Sequence, residues 1–83
     1  MTITQIDAFV RKVESENLAV KISLKSREPF IGIFVVSKDY EDLKSKNFWR
    51  IIGQKNIQNY QTSKDVNLSR IYSGTEITSL KLV

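Results

Sequence analysis

A small, strongly bent antiparallel barrel, mainly β and preceded by one helix, is the fold class this sequence predicts. Three observations carry that prediction. Val20, Ile22 and Leu24 alternate strictly with Lys21, Ser23 and Lys25, the period-2 pattern of a strand buried on one face. The apolar run that follows, Phe30 to Val36, is broken by Gly32. A glycine inside such a run marks a sharp bend or a close backbone approach, because a residue without a side chain weakens an ordinary strand interior. Near the end of the chain, Ile77 and Leu80 are both apolar although three apart. A regular strand would place them on opposite faces, so a bulge near Thr78 and Ser79 is expected.

Eighty-three residues provide for one domain, 1–83, with a thin core drawn from the 41% of residues that are hydrophobic. There is no cysteine to staple it and no histidine. Thiol nucleophiles, thiolate or imidazole metal sites and the usual neutral-pH general base are therefore missing, and a non-enzymatic protein with no cofactor and no metal is expected. The N-terminus lacks the features of a secretory signal, and no window approaches the roughly 20 apolar residues of a membrane span. A cytoplasmic location without membrane contact follows as the expectation. The formal charge of +4 permits a polyanionic partner without demanding one, since the 13 lysines and arginines are scattered among nine acidic residues.

Taken in order, residues 4–15 are predicted helical, because Ile6, Phe9, Val10 and Val13 fall on one face. Thr4 is the expected cap, with Asp7 completing an approximate capping box, and Asn17 the expected stop. Strands are expected over about 19–25 and 30–37. The charged stretch Ser37 to Lys46 should be a loop or short helical turn. Phe48-Trp49-Arg50-Ile51-Ile52 is aromatic and β-branched and reads as a third strand, about 47–52. Gln54 to Asp65 is polar, with only Ile57 and Tyr60 as anchors, and reads as a connector with at most one helical turn. Strands at about 67–72 and 76–82, separated at Ser73-Gly74-Thr75, complete the count of one helix and five strands.

This order resembles the Sm-like family of small SH3-like barrels. Val20, Ile22, Leu24, Phe30, Gly32 and Phe34 are similar to the family's first motif, in which alternating apolar residues and a turn precede a bent second strand. Ile71, Gly74, Ile77 and Leu80 are similar to the second. The resemblance implies an N-terminal helix, five bent strands and ring oligomers in which the fourth and fifth strands, here Leu68–Tyr72 and Ile77–Val83, pair between subunits. Relatives that bind uridine-rich RNA hold a base with an Arg, a Gly and an Asn in the second motif. Here only Gly74 matches, with Ser73 and Thr75 in place of the other two. Without the planar cation and the bidentate amide the usual uridine pocket is not expected.

A binding or assembly module with a homo-oligomeric, protein or RNA partner is thus the first expectation. The alternative is a sequence-tolerant single-stranded nucleic-acid binder using basic and aromatic surface. Its candidate contacts are Trp49, Arg50 and Lys55 on one side, Arg70 and Tyr72 on another, and Ser73, Gly74 and Thr75 at the pocket position. Stacking on Trp or Tyr is worth about 1 to 3 kcal/mol per base. Against this, a strand in a thin barrel must bury one of its faces, which makes Trp49 a candidate for the core as well. Two Tyr-x-x-x-Lys strings, Tyr40 with Lys44 and Tyr60 with Lys64, have the spacing of a short-chain dehydrogenase pair. Nothing here supplies the glycine-rich turn and repeated βαβ units such enzymes need. Asp39, Glu41 and Asp42 lack the turn glycine and ligand count of a calcium loop and read as solvated charge.

Overall fold

The computed structural model describes all residues, 1–83. Helix α1 (Ile3–Val13) opens the chain. Thr2, rather than Thr4, caps it: the Thr2 hydroxyl accepts from the Gln5 backbone N–H at 3.2 Å, and the Gln5 side chain accepts from the Thr2 N–H at 3.0 Å. Gln5 closes this reciprocal box two residues before Asp7, which leaves the Asp7 carboxylate free for other partners. The helix tightens into a 3-10 turn at Glu14–Glu16 and stops at Asn17, whose φ of 50° is the left-handed conformation that asparagine tolerates well.

Strands β1 (Val20–Leu24) and β2 (Phe30–Phe34) follow as an antiparallel pair. Next come a short helix α2 (Tyr40–Ser45), strand β3 (Phe48–Gly53), helix α3 (Gln54–Ser63), and strands β4 (Arg70–Ser73) and β5 (Ile77–Leu82). The five strands form one antiparallel sheet in the order β4-β3-β2-β1-β5. The outer two, β4 and β5, do not pair with each other. The sheet nevertheless curls, since Phe30 of β2 and Tyr72 of β4 meet across its concave side with ring centroids 5.4 Å apart. Gly32 lies in that bend. A Cβ there would stand 2.6 Å from the Ile52 carbonyl oxygen, so only glycine lets β2 approach β3 this closely.

The expected bulge is present in β5. Ser23 faces Ser79 and Leu24 faces Ile77, so Thr78 is the extra residue, and its hydroxyl donates to the Ser23 carbonyl at 3.2 Å. Ile77 and Leu80 consequently both turn toward the core.

Two apolar layers result, one on each face of the sheet. On the concave side, Ile6, Val10 and Val13 of α1 pack with Val20, Ile22, Leu24, Phe34, Trp49, Ile51 and Ile77. On the convex side, Ile33, Val35 and Ile52 are covered by Ile57 and Tyr60 of α3 with Val66 and Leu68. The second layer departs from the sequence expectation, because Gln54–Ser63 is a full ten-residue helix rather than a connector. With α2, α3 and three 3-10 turns, helical residues outnumber strand residues. Two strand boundaries also move. Strand β2 ends at Phe34, and only the Val35 N–H, donating to Arg50, extends its ladder. Strand β4 begins at Arg70, because Asp65 accepts from the Asn67 N–H and folds Val66–Leu68 into a 3-10 turn.

Candidate functional site

The residues singled out in the sequence do not form one surface. Trp49 is 1% exposed and belongs to the concave core, so its indole is not offered to a base. Period-2 alternation puts it on the face of Ile51, toward α1. Its ring meets Tyr40 edge-on at 5.9 Å, and its Nε1 donates to the Asn47 side-chain oxygen at 2.8 Å. Gly74 is buried against the same asparagine. Its N–H donates to the Asn47 carbonyl at 2.7 Å, and a Cβ would fall within 2.0 Å of the Asn47 side-chain oxygen. Gly74 therefore makes room for a structural amide. Beside it, the Ser73 and Thr75 hydroxyls lie 2.8 Å apart and bond to each other.

Arg50 is committed as well. Its Nε lies 3.1 Å from Asp39 Oδ1 and its terminal nitrogen 2.7 Å from Oδ2, a two-pronged pair, while the other prong donates to Ser69 at 3.3 Å. The Arg50 hydrogen bonds, with a further one from Ser37, hold the Asp39 carboxyl well below the usual carboxylate range, and Asp39 raises Arg50 in turn. This arrangement clamps the chain between β2 and α2 onto β3. A wide, open depression of about 690 Å³ lies over it, lined by Val36, Ser37, Lys38, Asp39, Arg50 and Val66. Asp39 and Arg50 neutralise each other there, and Lys38 is its one charge outside any ion pair.

The other acidic residues of that stretch diverge to their own cations, Glu41 to Lys44 at 3.5 Å and Asp42 to Lys46 at 3.8 Å. Tyr40 donates to Asp7 Oδ1 at 2.6 Å, tying α2 to α1. Burial and this hydrogen bond push the phenol well above its ordinary pKa, the direction opposite to what a proton-transfer tyrosine needs. Asp7, which also accepts from Arg11 and lies 3.4 Å from Lys44, is lowered to about 2, chiefly by the Tyr40 hydrogen bond. Around the second string, Lys64 Nζ sits 5.6 Å above the Tyr60 ring at the end of α3.

Lys55 is exposed on α3, on the convex side of the sheet. Arg70, Tyr72 and Ser73 lie elsewhere, along β4, and they line a cleft of about 320 Å³ with Ile71, Leu24, Ser26, Arg27 and Glu76. This cleft is the open seam of the curled sheet. Strand β4 forms one bank; the end of β1, its following turn and Glu76, in the 3-10 turn before β5, form the other. Arg27 and Arg70 enter none of the five ion pairs of the molecule. Glu76 is held by Ser26 at 3.4 Å. Ser26, Arg27 and Glu76 escaped the sequence reading because only the curl of the sheet brings them beside β4. The nearest signal was the predicted bend at Gly32, which implied such a seam without saying which turn would border it.

No family model, curated protein or solved structure matches the chain.

Proposed function

We propose that this chain is a non-enzymatic, cytoplasmic binding or assembly module of Sm-like type that works through the free edges of its sheet and has no uridine pocket. One observation carries the reading: β4 and β5 are both outer strands, each paired along one edge only. Apart from the Ile77 carbonyl, which accepts from the Met1 ammonium at 2.7 Å, their outward N–H and C=O groups are open to another strand. Exposed apolar side chains accompany them, with Ile71 48%, Leu82 58% and Val83 75% exposed. The faces of the sheet, by contrast, are occupied by α1 and α3. Strand addition at the edges is the interaction this geometry favours.

Light scattering across a concentration series tests it. Concentration-dependent self-association that is reduced by Ile71→Lys or Leu82→Lys is the expected result. A strict monomer at high micromolar concentration removes the self-assembly form of the proposal.

The second reading, sequence-tolerant binding of single-stranded nucleic acid, draws support from the unpaired Arg27 and Arg70 beside Tyr72. It requires affinity that falls steeply with salt, as phosphate neutralisation releases counterions. Absence of any shift of a labelled single strand at low salt disposes of it.

A further inference from the structure

We infer that the β4 edge accepts an extended acidic peptide segment from another protein, whose backbone pairs with Arg70–Ser73 and whose alternate carboxylates are held by Arg70 and Arg27. The inference rests on the reading of β4 as a strand-accepting edge and names the chemistry of the strand it takes.

Four observations converge. All four residues of β4 line the cleft, so the edge and the cleft are one surface. In an antiparallel pair, alternate residues bond to the neighbour while those between point their N–H and C=O groups outward. The outward groups of β4 therefore face the seam. Second, Arg27 and Arg70 have no carboxylate partner, in contrast to Arg50, which holds Asp39 in a fork. A guanidinium is pre-shaped for a two-pronged bond to a carboxylate. Third, side chains on one face of an added strand recur every second residue, so acidic residues at i and i+2 would present both carboxylates to the same cleft. Fourth, the exposed Ile71 side chain, beside the cleft, suits an apolar residue of the same segment.

The chain's own β5 is a poorer occupant. Ile77–Leu82 contains Lys81 and no carboxylate, so a second copy would bring a cation toward two arginines. Nucleic acid is also less well matched, because Trp49 is buried and Tyr72 is already packed against Phe30.

The probe is a synthetic Thr-Glu-Val-Glu-Val-Glu-Thr peptide, with a twin carrying Lys for Glu, added to the labelled full chain while backbone amide signals are followed. Shifts and slowed exchange at Arg70–Ser73 with the acidic peptide only, weakening with added salt, are expected. Arg27 and Arg70 are exposed, so the R27E/R70E variant should fold. It should lose the acidic peptide by tenfold or more and gain the lysine twin. No saturable change at millimolar peptide, equal response to both peptides, or an unchanged variant overturns the inference. So does a single-stranded RNA that perturbs Arg70–Ser73 where the acidic peptide does not. Self-association through β4 without peptide binding leaves the strand-accepting edge standing and removes the acidic partner; neither one removes both.

Discussion

Helices α1 and α3 cover opposite faces of one sheet, and they are built on different terms. Three residues of α1, Ile6, Val10 and Val13, are fully buried, and a reciprocal capping box starts it. Helix α3 has no buried residue and no side-chain cap, since Gly53 stands at its N-cap. It is held by Ile57 and Tyr60 resting on Ile33, Val35 and Ile52. One helix belongs to the main core, whereas the other is a cover laid over a smaller patch. Local opening should therefore begin at α3, where few apolar contacts must be broken, and the concave core should open only with the whole domain.

The largest expected effect that sharpens this contrast is at Ile6. Ile6→Ala should cost about 2 to 5 kcal/mol in urea unfolding, because the site is fully enclosed. Half-buried Ile57 truncated to alanine should cost clearly less. Equal costs at the two positions would show that α3 is as integral as α1. Gly32→Ala comes next, at about 1 to 3 kcal/mol, since the obstacle is the Ile52 backbone and the two strands must separate to admit a methyl group.

The α1 side carries an acid-sensitive tie that α3 lacks. The Asp7 carboxyl is lowered from 3.8 to about 2 by its bonds to Tyr40, Arg11 and Lys44. A depressed carboxyl stabilises the fold above its unfolded pKa and loses that contribution as pH falls toward the folded value. Stability measured between about pH 4 and 2 should fall less steeply in Asp7→Asn than in the parent chain. A parallel acid limb would mean that the Tyr40 bond does not depend on the Asp7 charge.

The smallest effect is a gain. Nothing lies within 4 Å of a Cβ placed on Gly53, whose φ of −68° and ψ of 157° suit any N-cap residue. Gly53→Ser should stabilise the domain by about 0.5 kcal/mol through a cap and reduced unfolded-state entropy. Slower amide exchange confined to α3 is the accompanying signature.

These differences also explain what could be read from the sequence. Helix α1 declares itself by four apolar residues at helical spacing, and β1 by three at strand spacing. The bulge at Thr78 was legible because two apolar residues broke the period. Helix α3 was not, since two anchors in ten polar residues give no periodic signal and its cap position is a glycine. In the site, Arg50 looked like a free cation because its partner Asp39 lies on a different segment, and alternation left Trp49 with either face open. The expected break between strands at Ser73-Gly74-Thr75 falls on the 3-10 turn Gly74–Glu76, with Ser73 closing β4. Its glycine proved to serve Asn47, a residue that no local pattern joins to it.

The Thr78 bulge has a consequence for any assembly the edges support. A β4-to-β5 contact joins unlike surfaces, so successive subunits are related by one repeated rotation and translation, which closes into a ring or runs on as a helical filament. Bulges increase local twist, and this one sits within the strand that presents one of the two surfaces. The single unpaired threonine thus helps set the angle between neighbours, and through it whether a chain of subunits ends by meeting itself.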